Sequence, residues 1–207
     1  MIKRLMIVII GLFLVATPAF ALDVSNMNTY ASRYYAMEQG SGDLTDSTGN
    51  QNGVATGITY QVGGIIDFGI NFDGTNIDKV DMGNDAYPSS SNSVVSTCQW
   101  VYPSGSKSWQ NVWRAQEGTG INVAIQRTGD TSGTYSDTWR YTWYSGGTKF
   151  DAVGGSVTTG AWTHICTTND GTTAKVYQDG TQVASSSITA HSISGTWNTA
   201  PTLGIRP

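Results

Sequence analysis

The chain has 207 residues, only 13% of them charged, and a formal net charge of −4. That length holds one sizeable core, and an acidic balance without a basic cluster argues against nucleic acid or an anionic membrane as partner. With so little Lys and Glu, solubility rests on Thr, Ser, Asn and Gly, which disfavours a helix-rich fold.

Along the chain, the first element is a targeting segment. Lys3 and Arg4 precede an apolar run over 5–15, and Ala19-Phe20-Ala21 supplies a small-x-small cleavage site. The run is short for a membrane span, which needs about 20 residues. Residues 1–21 therefore read as a signal peptide, with the mature chain beginning at Leu22. The protein is expected to be secreted, periplasmic or at the cell surface, with no membrane contact after cleavage. A short leader over 22–33 and one domain over 34–207 complete the organisation.

Past the leader no window holds a 3.6-residue apolar period. Short alternating runs recur instead over 32–38, 66–72, 79–82, 93–102, 111–115, 122–127, 138–144, 161–168, 174–178 and 182–186. Clusters such as "STGNQNG", "FDGTN" and "RTGDTSGT" separate them, where Asp, Asn and Gly reverse the chain at little steric cost. The last three runs, joined by Asp170-Gly171 and Asp179-Gly180, read as an antiparallel meander. Three adjacent strands cannot bury both faces alone, so a second sheet is implied. The expectation is an all-β sandwich or barrel in one domain.

Two cysteines, Cys98 and Cys166, fall in expected strands. In an oxidising compartment they can form a disulfide, provided their Cα atoms lie within about 7 Å; two buried thiols is the other reading. No zinc-type cysteine spacing occurs.

The order of motifs adds a resemblance. Glu38-Gln39-Gly40-Ser41-Gly42, Asp46-Ser47-Thr48-Gly49-Asn50, Phe72-Asp73-Gly74, Trp100-Val101, Trp162-Thr163-His164-Ile165, Asp170-Gly171 and Tyr177-Gln178-Asp179-Gly180 follow one another at family spacing. From about Tyr34 to Ile205 the chain resembles the laminin-G-like branch of the concanavalin A-like lectin/glucanase superfamily. The resemblance implies a jelly-roll sandwich of two antiparallel sheets. It also implies a structural calcium held by Asp46 and Asn50, in a loop whose oxygens suit a hard cation; the other reading is an ordinary Asx-rich turn whose side chains bond their own backbone, and no other cofactor is expected. Family domains continue past the "TLGIRP" segment into a strand carrying an acidic residue, whereas this sequence ends at Pro207. A truncated domain lacking its closing strand, with an open edge, is therefore expected.

Catalysis has little support. Glycoside hydrolysis needs two carboxyls about 5–10 Å apart, and the only glutamates, Glu38 and Glu117, lie on separate segments. Asp78 and Asp81 cannot share a strand face, no Gly-x-Ser-x-Gly elbow occurs, and His164 belongs to a structural strand of the family. The stronger signal is aromatic, with seven Trp and ten Tyr. Flat rings suit the apolar face of a sugar, and planar polar groups suit its hydroxyls. Candidate ligand-binding residues are Trp109, Trp113, Arg114, Trp139, Arg140 and Trp143, with Trp197 beside them. Alternating aromatics also fill sandwich cores, which is how Trp100 and Trp162 read; a core position is likewise the other reading of Trp139, Trp143, Trp109 and Trp113. The expected function is a secreted, non-catalytic module recognising a polysaccharide or glycan. The alternative is a structural or adhesion module that binds another protein through its sheet face or open edge.

Overall fold

The structure, a computed structural model, describes residues 33–65, 67–73, 78–83, 94–105, 109–117, 120–129, 136–145, 148–188 and 199–204. The signal segment, the leader up to residue 32, the polar loop 88–93, His191 and Trp197 lie outside the described residues. All pairings among these residues are antiparallel. The larger sheet holds β1 (Val54–Thr56), β4 (Lys79–Asp81), β13 (Thr199–Leu203), β6 (Gln110–Glu117), β7 (Gly120–Thr128), β8 (Thr138–Ser145) and β9 (Thr148–Gly154), in that spatial order. The second holds β12 (Thr181–Ser187), β11 (Thr173–Gln178), β10 (Thr163–Asp170) and β5 (Val94–Val101), and β2 (Thr59–Gly63) with β3 (Phe68–Asn71) forms a separate hairpin.

Side-chain alternation explains the sandwich. In β8, Trp139, Tyr141 and Trp143 point inward and are at most 1% exposed, while Arg140 and Tyr144 point outward. In β10 the inward set is Thr163, Ile165, Thr167 and Asn169. The two inner faces, with Val80, Trp113, Ala115, Val123, Ile125, Ala152, Val176 and Leu203, form one apolar core. The expected meander is present as β10–β11–β12, and Asp179 and Gly180 both take positive φ (51° and 80°), as a two-residue hairpin turn requires.

Cys98 and Cys166 face each other directly across β5 and β10 and are joined by a disulfide, with Cα atoms 4.1 Å apart. They stand on the outer face of the four-stranded sheet rather than in the core, with Cys98 exposed.

Four strands and one bridge depart from the sequence reading. Of the run expected over 32–38, the described residues 33–38 do not form a strand; Tyr35 makes only an isolated bridge to Asp46. The short β1 and β2 fall in Gly- and Thr-rich sequence. In β9 the inward Phe150 and Ala152 alternate with an outward Val153 that is half exposed, which blurs the apolar period. β13 contains Pro201, an unfavourable residue in a central strand. It is accommodated because the pairing with β6 is irregular between Thr199 and Thr202, while the Pro201 carbonyl still accepts the Met82 N–H at 2.8 Å. β13 thereby fills the position between β4 and β6.

Candidate functional site

The outer face of the seven-stranded sheet carries a set of polar side chains, several of them buried: Thr142 and Thr202 are 2% exposed, Asn111 5% and Gln126 6%. One cross-strand row runs Asp81, Thr202, Arg114, Ala124, Thr142, Asp151, and the next runs Asn111, Gln126, Arg140, Val153. Asn111 belongs to this face through an irregularity in β6. Simple alternation would put Asn111 and Trp113 on the same side, but the register shifts between them. Asn111 therefore pairs with Gln126 outside and Trp113 with Ile125 inside. Re-aiming one side chain in this way is what a β-bulge does.

The face is tightly hydrogen-bonded. The Arg140 guanidinium donates to both Asp151 oxygens, at 2.9 and 2.5 Å, and Thr142 Oγ1 donates to Asp151 Oδ1 at 2.9 Å. Lys149 Nζ adds a contact at 3.1 Å to Oδ2. Gln126 Nε2 donates to Asn111 Oδ1 at 2.7 Å, and both residues are buried, at 6% and 5% exposed. The Trp109 ring sits 5.5 Å from the Arg140 guanidinium, in cation–π range. Trp109 has φ of 58°, a left-handed conformation that costs a non-glycine residue about 1–3 kcal/mol and gathers at functional sites. Its neighbours are tethered by the buried Arg127, which donates to the Gly105 carbonyl at 2.8 Å and to Gln110 Oε1 at 3.2 Å, while a paired fork at 2.7 and 2.6 Å holds Asp137. A flat ring beside fixed amide, guanidinium and carboxylate groups offers both an apolar plate and directional donors and acceptors.

Of the six expected ligand-binding residues, Trp109, Arg114 and Arg140 come together on this side. Trp113, Trp139 and Trp143 do not: their side chains are 4%, 1% and 0% exposed, and they pack between the sheets where a surface ligand does not reach. The reason is the pleat, which sends Arg140 and Trp139 to opposite faces. Asn111, Gln126, Thr142 and Asp151 were not anticipated. Thr142 shares Arg140's parity and was legible from alternation; Asn111 was hidden by the bulge.

Trp100 also departs from the core position expected of it. It is 47% exposed on the outer face of the four-stranded sheet, its ring 4.9 Å from that of His164. Tyr102, 48% exposed, lies 5.5 Å from the half-buried Trp162 ring. These rings form a second aromatic surface. His164 also lies 3.7 Å from Cys166 Sγ, whose sulfur is committed to the disulfide.

The loop expected to hold calcium is built differently from a hard-cation site. Asp46 is buried, and its Oδ1 accepts the Tyr34 and Thr48 N–H groups at 3.0 Å each. Oδ2 accepts the Gln51 N–H at 3.0 Å, and the Thr48 hydroxyl is 2.8 Å from both oxygens. Arg33 Nε approaches Oδ2 at 3.7 Å. Asn50 is exposed and turns its Nδ2 toward Thr48 Oγ1 at 3.1 Å. A cation would have to displace donors from both oxygens, so Asp46 and Asn50 do not fit it in this arrangement; Asp46 instead closes an Asx turn. Burial alone would raise the Asp46 carboxyl, but the N–H groups of Tyr34 and Gln51 and the contacts from Thr48 outweigh it and hold the group below the ordinary carboxylate range. A depressed folded value means that its stabilisation is complete above the unfolded carboxylate value and is lost as pH falls through the folded one. Asp46→Asn is therefore expected to be less stable than wild type at neutral pH, with a shallower loss on acidification, as read from urea midpoints at pH 7 down to 3.

Residues 73–207 match the family model described as the concanavalin A-like lectin/glucanases superfamily. No curated protein matches the chain. Among solved structures, the chain is similar to domain 4 of AbnA, a GH43 extracellular arabinanase from Geobacillus stearothermophilus solved with arabinotriose. The TM-score is 0.60 and the identity 21%, over 79% of each chain. It is also similar to Trypanosoma rangeli sialidase in complex with a difluorinated KDN derivative, with a TM-score of 0.59 and 15% identity over 84% of this chain; the match spans 26% of the sialidase. At these identities the likeness is one of fold.

Proposed function

The chain belongs to the concanavalin A-like lectin/glucanases superfamily, and from that premise we propose that it is an exported, non-catalytic module that binds a polysaccharide or glycan on the outer face of its seven-stranded sheet. The observation that carries this reading is the Trp109–Arg140–Asp151 cluster, a ring stacked on a guanidinium whose fork is fixed by a carboxylate. Beside it the buried Asn111–Gln126 amide pair lies in the next cross-strand positions to Arg140. Such groups recognise hydroxyls directionally without reacting with them. The non-catalytic part has its own support. Asp151 is engaged by Arg140, Thr142 and Lys149, and no second carboxylate of the described face is paired with it as glycoside hydrolysis needs. The signal-like residues 1–21 and the disulfide favour export.

Trp109→Ala and Arg140→Ala are each expected to weaken polysaccharide binding at least tenfold, about 1.4 kcal/mol, in calorimetric titrations across a glycan panel. Trp100→Ala should leave affinity unchanged. Loss of binding in the Trp100 variant alone would move the site to the other sheet. A second reading, adhesion to another protein, is favoured by the exposed Trp100 and Tyr102; it predicts association that soluble sugars do not compete.

A further inference from the structure

Arg114 lies in the same face, in β6, opposite Ala124 of β7 and Thr202 of β13. It is half buried, and no hydrogen bond, ion pair or ring contact engages its guanidinium among the described residues. Every other arginine described has a partner: Arg33 approaches Asp46, Arg127 holds Asp137, and Arg140 holds Asp151. The carboxylates of the face do not supply one. Asp151 is committed to Arg140 and Lys149 at the far edge of the sheet, and Asp81, beyond Thr202, accepts the Gly83 N–H. Ala124 is too short to reach across. Next to Arg114, Thr202 is 2% exposed, and its hydroxyl also lacks a partner. Half-burying a cation without an acceptor is costly, and burial pushes the Arg114 guanidinium down from its ordinary value. The five donors of that guanidinium match a planar oxyanion bidentately.

The wider face agrees. Its described strand positions hold the cations Lys79, Arg114, Arg140 and Lys149 against the carboxylates Asp81 and Asp151, with Glu117 paired to Gly120 at the end of β6, in a chain whose net charge is −4. A locally positive surface on an acidic protein selects for negative ligands.

We propose that the ligand of this face is an anionic saccharide, whose carboxylate or sulfate is received by the half-buried Arg114 guanidinium. This rests on the reading of the face as a glycan site. The test is calorimetric titration of the whole mature protein, Leu22 onward, with hexuronic acid oligosaccharides and their carboxyl-reduced counterparts. A parallel pair uses sulfated oligosaccharides and their desulfated forms. The expected result is at least tenfold tighter binding of the charged member in one pair, which identifies the anion. That preference should be abolished in Arg114→Gln and partly kept in Arg114→Lys. Unfolding curves of the variants check that they are folded, and Arg114→Lys keeps the test open should Arg114→Gln fail. Equal binding of charged and neutral members would overturn the inference and leave the glycan site standing. Binding of neither would overturn both.

Discussion

Trp143→Ala is expected to lower the unfolding free energy by about 3–5 kcal/mol, the range for truncating a large buried aromatic. Trp143 is fully buried, lies opposite Val123 on one neighbouring strand and Phe150 on the other, and meets the Tyr141 ring edge-on at 6.3 Å. Strands held in antiparallel ladders on both sides close poorly over such a cavity, because a shift that fills it breaks register with the neighbouring strands. One effect works the other way: Trp143 Nε1 is buried without a partner, and removing that orphan donor relieves about 1 kcal/mol or more. The loss therefore belongs toward the lower end of the range. Trp109→Ala, at the partly exposed end of β6, should cost much less, within about 1 kcal/mol. Urea titration of both variants separates the two populations of tryptophan. Equal losses would return Trp109 to the core and remove the ring from the binding face.

Breaking the disulfide is the second large effect. Cys98 and Cys166 are separated by 68 residues, and the chain-entropy model gives about 4 kcal/mol for a loop of that size, typical measured values being 2–4. Because the bridge sits on the outer face, replacing both residues by serine removes little core packing, so the loss is carried mostly by the unfolded chain. The double variant Cys98→Ser, Cys166→Ser is expected to match wild type measured under a phosphine reductant, both unfolding at lower urea than the oxidised protein. A reduced wild type as stable as the oxidised one would mean that the β5–β10 pairing holds without its covalent link. The Trp100–His164 contact beside the bridge gives an independent readout in tryptophan fluorescence.

Much of the fold was legible because its strands obey a period of two and its turns are chemically marked. The meander β10–β11–β12 follows from alternating residues around two Asp-Gly pairs, and β8 announces itself in "TWRYTWY". What escaped was local exception. Pro201 disguised β13, the exposed Val153 disguised β9, and the bulge between Asn111 and Trp113 put these two residues on opposite faces. The site was legible in part for the same reason. Alternation says that Arg140 and Trp139 part company, but not which side is the interior; only a second sheet packed on one face decides that. Trp100 shows the converse: a tryptophan in a regular strand reads as core, yet here it shares the outward parity of Cys98. Asp46 was singled out as a calcium ligand, whereas the backbone N–H groups that bind it come from residues whose side chains carry no signal.

The most direct test of the binding face is nitrogen-edited NMR of the indole groups of the mature protein, titrated with the tightest-binding oligosaccharide of the panel. The chain has seven tryptophans, and three of the environments described above differ sharply. The expected result is a large shift of the Trp109 indole, with those of Trp139 and Trp143 nearly still and those of Trp100 and Trp162 unmoved. Shifts centred on Trp100 and Trp162 with Trp109 unmoved would contradict it and place recognition on the four-stranded sheet.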